Sequence, residues 1–233
     1  MELPLRYSYL FLCLILSFFW LLFFLVREDL RREMIWASFL GLPFGFIDYF
    51  LVPEYWHPES LFSLMEKYGV GLESFVFLFL MSGIVSVIYE FLEGIRTKRV
   101  SGKKKKFGFL PLFLAMASFF VLVLLFSLEA IYGFMLAGLI GALGILYLRR
   151  DLLKQISFSA FFFAFFYFAV FFLTIKIFPG IVEVFYNLEN TWGVLVLGVP
   201  LEELAVGFFV GAFWSAFYEC AQSYHLLKSD FSR

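Results

Sequence analysis

The chain has 233 residues, of which 63% are hydrophobic and only 16% charged, with a formal net charge of −1 at pH 7. Soluble domains carry about 25% charged residues, so this composition, at a mean hydropathy of +0.91, excludes a soluble exterior; the net charge by itself says nothing about nucleic acid, and none is expected as a partner. Cys13 and Cys220 lie in apolar segments, no CxxC occurs and only two histidines are present, which excludes a zinc or redox-cysteine centre and leaves two small buried hydrophobes.

A helix needs about 20 apolar residues to cross hydrocarbon, and seven such runs are predicted. Residues 9–26 form the first. The charged stretch 27–33 stops it and no small-residue cleavage site follows, so it reads as a membrane helix and not as a signal peptide. Residues 36–52 form the second, with Gly41, Pro43 and Gly45 predicting a kink and Asp48 near its end. A polar, aromatic connection at 53–68 places Tyr55 and Trp56 in the headgroup belt. Residues 71–92 make the third span, and the basic loop 96–106 (RTKRVSGKKKK) follows it. Spans four to seven are 109–126, 130–148, 158–178 and 197–221, with a short basic turn at 149–155 and a mostly apolar loop at 179–194. Lys and Arg concentrate in 27–32, 96–106, 149–154 and the C-terminal tail, so the N-terminus is expected outside and the C-terminus in the cytoplasm. The lysine run of the basic loop also suits anionic lipid headgroups, beside its plain role as a topology anchor.

Residues 198–219 (GVPLEELAVGFFVGAFWSAFYE) align without gaps on residues 69–90 (GVGLESFVFLFLMSGIVSVIYE) at an offset of 129, the separation of Glu73 and Glu202. Gly69, Val70, Leu72, Glu73, Phe79, Ser86, Tyr89 and Glu90 meet Gly198, Val199, Leu201, Glu202, Phe208, Ser215, Tyr218 and Glu219. Apolar helices share Val, Leu and Phe by chance; they do not so easily share Glu, Ser, Tyr and Glu at the same intervals. The expected fold is an all-α integral membrane protein, one domain over 1–233. It is a single seven-transmembrane-helix bundle of two parallel three-helix repeats, 9–92 and 130–221, with a linker helix at 109–126. A pseudo-two-fold axis near the membrane normal relates the repeats.

A charge in hydrocarbon costs about 3 kcal/mol or more, which makes intramembrane acids functional candidates. Residues four apart share a helix face. Glu203, Gly207, Gly211, Ser215 and Glu219 therefore form one row and Ser74, Leu78, Ser82, Ser86 and Glu90 another, and such small-residue rows face other helices. Two acid clusters are expected. Glu73, Glu202 and Glu203, with Asp48 at similar depth, lie inside the outer leaflet. Glu90 and Glu219 lie about 25 Å away at the cytoplasmic interface, where they read as helix ends among headgroups. Glu202 and Glu203 follow Pro200 in a first turn, a position where carboxylates also offset the helix dipole. Carboxyls crowded in apolar surroundings cannot all ionise, and one retains a proton. That proton is a general acid for a lipid-soluble substrate. Protonating an alkene gives a carbocation, which aromatic faces stabilise.

On these residues the chain resembles the membrane lycopene cyclases of the heterodimeric or fused type. The run Pro200-Leu201-Glu202-Glu203 matches their PxE(E/D) motif, and two homologous three-helix halves are typical of them. Asp48, the segment Pro53-Glu54-Tyr55-Trp56, and Gly71-Leu72-Glu73-Ser74 look like the first half of such a domain, although Gly71 and Ser74 stand where the motif has its proline and second acid. The resemblance implies non-redox ring closure at the ends of a linear carotenoid. Glu202 and Glu203 would be the acid/base pair, with Glu73 assisting. Asp48, Pro200, Tyr89 and Tyr218 are expected to support the substrate or its cation, and Glu90 and Glu219 to form the second acid cluster. No cofactor or metal is expected, and no dinucleotide fingerprint occurs. The expected partners are an isoprenoid or carotenoid substrate and membrane lipids, with a homo-oligomer open, in a prokaryotic cell membrane.

Two other classes remain at this level. Acids at both leaflet edges also suit a proton or cation transporter, against which the bundle centre offers few ionisable groups. A non-catalytic carotenoid-binding protein fits the composition equally. A seven-helix retinal receptor needs a lysine in mid-span seven, and 197–221 contains none.

Overall fold

The apolar runs fold as helices because buried backbone groups in hydrocarbon must be satisfied within their own segment. The structure, a computed structural model, describes residues 4–52, 54–99 and 107–228. Its helices are α1 (Ser8–Val26), α2 (Arg31–Gly41), α3 (Asp48–Leu51), α4 (Leu64–Tyr68), α5 (Leu72–Glu93), α6 (Leu110–Phe120), α7 (Ala130–Leu148), α8 (Leu153–Ile177), α9 (Ile181–Phe185), α10 (Leu201–Trp214) and α11 (Phe217–Gln222). Four short strands, β1 (Ile95–Arg99), β2 (Leu195–Val196), β3 (Val199–Pro200) and β4 (Tyr224–Lys228), pair as β1–β4 and β2–β3, both antiparallel.

Among the described residues, six helical stretches are long and apolar enough to cross a membrane: Leu5–Val26, Glu28–Leu51, Leu72–Glu93, Ala130–Leu148, Arg150–Ile177 and Leu201–Gln222. The chain is an all-α membrane protein. The fourth of the seven expected spans is a shorter apolar helix, Leu110–Leu125, whose final turns widen to π-helical bonding. Besides the first, which starts at Leu5, two spans start earlier than the apolar runs alone suggest, at Glu28 and Arg150, because their polar first turns find partners. Arg31, for example, donates to Phe24 O at 2.7 Å. The kink expected near Pro43 is a stretch of tighter 3-10 helix, Leu42–Ile47, joining α2 to α3. The last span breaks between α10 and α11, and the buried Gln155 donates to the Ser215 carbonyl at 2.7 Å.

The expected basic loop 96–106 begins instead as strand β1, paired with β4. Its lysine run, Lys103 to Lys106, lies outside the described residues, as do Pro53 and the end of the polar tail.

Positions 129 apart recur in matching surroundings. Gly69 and Gly198 both have positive φ (70° and 90°), as do Gly94 and Ser223 (64° and 58°). Thr97 pairs with Leu226 at the centre of the β1–β4 ladder, and these two residues are themselves offset by 226 − 97 = 129. Helix α5 packs on α1 and α2, and α10 packs on α7 and α8. Arg27 donates to Glu90 O and Ile95 O, both at 2.8 Å. Arg149 donates to Glu219 O at 3.2 Å and Tyr224 O at 3.0 Å. Each guanidinium also forks onto the aspartate two residues on, Asp29 or Asp151; the arginines are 122 apart and not 129, and correspond by these contacts alone.

The row of small residues on α10 faces α8. A Cβ on Gly211 would lie 2.6 Å from the Ser159 carbonyl oxygen and 3.0 Å from Ala160 Cα. Both are backbone atoms that cannot swing away, so Gly211→Val is expected to destabilise the bundle by about 1–3 kcal/mol. Thermal unfolding in detergent reads this directly, and an unchanged midpoint would mean that α8 and α10 separate freely.

Candidate active site

A cavity of about 470 Å³ lies between the helices, walled mostly by aromatic and aliphatic side chains. Pockets of this size hold much of a small apolar ligand and present few polar groups. Among the described residues on its wall, the carboxylates are Glu203 and Asp48.

Glu203 sits in the first turn of α10 and is buried. Three tyrosine hydroxyls donate to it. Tyr55 and Tyr186 bond Oε1 at 2.8 and 2.9 Å, and Tyr167 bonds Oε2 at 2.8 Å. A carboxylate offers about four acceptor positions, so three are used and one is left for an occupant of the cavity. Tyr167 comes from the middle of the Phe-rich α8. Tyr55 and Tyr186 come from connections that fold over the end of the bundle and join there. His57 N donates to Phe185 O at 2.8 Å and Asn187 N to Tyr55 O at 3.0 Å, around a bridge between Trp56 and Tyr186. Tyr55 is therefore not in a headgroup belt: it is buried, because its hydroxyl has a carboxylate to reach.

Burial first, and then the neighbouring Glu203 charge, pushes the Tyr55 and Tyr186 hydroxyls well above the ordinary phenol value. Both remain donors where a free tyrosine ionises, at about pH 10. The stability they contribute is present below that pH and is lost as pH climbs through their raised values. Alkaline unfolding is expected to be less steep in Tyr186→Phe than in the parent chain. An identical pH profile above 10 would contradict the buried bond.

Asp48, at the start of α3, accepts a hydrogen bond from Ser74 Oγ. Ser74 occupies the position in the first half that Glu203 holds in the second, at the same offset of 129. Trp56, Phe171, Phe213 and Trp214 also line the cavity.

The structure does not bring Glu202, Glu203 and Glu73 to one place. Neighbours on a helix point about 100° apart, so Glu202 turns away from the cavity that Glu203 lines. It is buried and accepts from Trp192 N at 2.5 Å. Glu73 is off the cavity wall too and accepts from Leu61 N at 2.6 Å. Each of these two acids thus ties the incoming chain to a helix N-terminus, where a carboxylate also opposes the dipole. Pro200 is the residue before α10 and is buried.

Glu90 and Glu219 are not helix ends among headgroups. Both are fully buried, and one carboxylate oxygen of each lies within 4.8 Å of the other and of one from Glu33. Past the positive-φ residues Gly94 and Ser223, which follow α5 and α11 at this end, β1 and β4 pair with each other. Tyr89 and Tyr218 are at the same end and off the cavity wall: Tyr89 stacks edge-on with Phe158, and Tyr218 lies against Trp36 and Tyr224.

Sequence reasoning missed Tyr167, Tyr186, Glu33 and Gln155. Tyr167 carried a signal, as a polar group within an otherwise apolar span, whereas Gln155 falls in the expected basic turn and carried none. Tyr186 and Glu33 lie in connecting or stop-like segments and carried none.

Residues 129–221 match the family model described as lycopene cyclase, so the resemblance drawn from the PxE(E/D) run is borne out over that stretch at the level of the family. No curated protein and no solved structure matches the chain.

Proposed function

We propose that the chain, whose residues 129–221 match the lycopene cyclase family model, closes an end-group ring on a linear, lycopene-like carotenoid within the membrane, by proton transfer at Glu203. The observation that carries this reading is a single carboxyl, bonded by three tyrosines, on the wall of an aromatic cavity.

The chemistry follows from that geometry. Protonated Glu203 gives its proton to the terminal double bond. The next double bond attacks the resulting cation and the ring closes. The Glu203 carboxylate then takes a proton from a ring carbon, so atoms balance and nothing is oxidised. The three hydroxyls stabilise the carboxylate that exists between the two transfers, as fixed dipoles aimed at developing charge. Asp48 offers a countercharge to the cation, and the faces of Trp56, Phe171 and Trp214 offer their quadrupoles. Phe46, Met116 and Phe120 belong to the cavity wall and are also exposed on the outside of the bundle. A lipophilic chain enters there, from the bilayer.

We further propose that the halves 9–92 and 130–221 are repeats related by a pseudo-two-fold through the β1–β4 ladder. A dyad pairs equivalent residues isologously, as Thr97 and Leu226 pair. In this arrangement the basic connections face the cytoplasm and the Glu203 cavity lies toward the other leaflet. Only the second half carries a glutamate at the reacting position, since Ser74 stands at the equivalent place. Expression in a lycopene-accumulating host, with pigments analysed, tests the activity.

A further inference from the structure

The Glu203 cavity leaves unexplained the second group of acids, at the opposite end of the bundle. Glu33 from α2, Glu90 from α5 and Glu219 from α11 converge there, each at most 2% exposed. Five of their six carboxylate oxygens have no hydrogen-bond partner: both of Glu33, both of Glu219 and Oε2 of Glu90. Buried carboxylates are normally paired or bound to a metal.

The two arginines at this end do not neutralise them by contact. Arg27 directs its N–H groups to Asp29 and to the main-chain carbonyls of Glu90 and Ile95. Arg149 directs its own to Asp151 and to the carbonyls of Glu219 and Tyr224. They fix the two helix ends that carry the acids and leave the carboxylates facing one another.

A second, independent group points into the same place. Gln155 of α8 is 1% exposed, and its Nε2 sits 3.0 Å from Glu90 Oε1. Its own Oε1 is buried without a partner. A carboxamide oxygen is a metal ligand of the same kind as a carboxylate oxygen. Among the described residues, three helices thus bring one carboxylate oxygen each to a buried point with no sulfur or imidazole in the group, and a fourth, α8, brings the Gln155 carboxamide against Glu90.

We propose that Glu33, Glu90, Glu219 and Gln155 bind one hard divalent cation. An all-oxygen set selects calcium, magnesium or manganese over zinc or copper. One oxygen from each glutamate lies within 4.8 Å of the others, a spacing that a single ion bridges at calcium–oxygen distances of about 2.3–2.6 Å with a shift of a few tenths of an ångström. The cation ties α2, α5, α8 and α11 together at the end where β1 and β4 pair, so its role is to hold the two halves in register. The inference does not depend on the reading of Glu203.

The test is elemental analysis and thermal unfolding of the full chain in detergent. EDTA-stripped protein is titrated with calcium, magnesium or manganese chloride, with sodium chloride at equal ionic strength as the control. The expected result is one divalent ion per chain and a saturable rise in Tm, both lost in Glu33→Gln and Glu219→Gln. If Glu219→Gln fails to fold, the parent chain and Glu33→Gln decide alone. Three results would overturn the proposal: no stoichiometric ion with the same Tm in EDTA and in metal, an equal response to sodium chloride, or an undiminished shift in Glu33→Gln.

Discussion

Glu203→Gln is expected to lower ring closure by about 10²–10⁴-fold, the range that a positioned general acid contributes. The variant keeps the size of the side chain, and its carbonyl oxygen still accepts from the tyrosine hydroxyls, so the bundle is expected to persist in the membrane. What is lost is the transferable proton. Tyr167→Phe removes one of three bonds to the charged intermediate state of that group. One such bond is worth about 1.5 kcal/mol, or about tenfold in rate. Glu202→Gln and Glu73→Gln are expected to retain activity, because those carboxylates accept main-chain N–H groups away from the cavity. Pigment yield normalised to membrane-inserted protein reads all four. An inactive Glu202→Gln beside an active Glu203→Gln would reverse the assignment.

Arg149→Ala is expected to cost about 3 kcal/mol of stability. The guanidinium is 3% exposed and makes charge-assisted bonds to Glu219 O and Tyr224 O, each worth about 1.5–3 kcal/mol. Its ion pair with Asp151 adds little, since that aspartate is half exposed and is solvated once the arginine is gone. The equivalent Arg27→Ala is expected to act in the same direction and less strongly, because the Arg27 side chain is more exposed. Unfolding midpoints in one detergent check both. A change within about 0.5 kcal/mol for Arg149→Ala would place it among ordinary surface substitutions and undo the account of how β4 is held.

Much of this was legible in the residues. The apolar runs locate the crossing helices, and the 129-residue offset anticipates the paired glycines at 69 and 198. The rows Ser74–Glu90 and Glu203–Glu219 were legible as buried faces from four-residue spacing alone. Three features were not. Spacing along one helix says which residues share a face and not which face meets a cavity, so the Glu202–Glu203 pair looked like one unit and is divided between two surroundings. Tyr55 looked like a belt residue because the sequence does not show that residues 54–57 and 185–190 fold onto each other. Glu33 read as part of a charged stop signal, since nothing local marks that α2 begins before the apolar run and buries its first turn. In each case the deciding contact joins residues more than 30 positions apart or lies between connections, where hydrophobic periodicity carries no information.

The most direct measurement is pigment analysis of a lycopene-accumulating host expressing the intact chain, by chromatography and mass. The account predicts a cyclic product of unchanged mass, absent when Glu203→Gln is expressed to the same level in the membrane. Unchanged lycopene with the parent protein inserted, or equal cyclic product from Glu203→Gln, would contradict it.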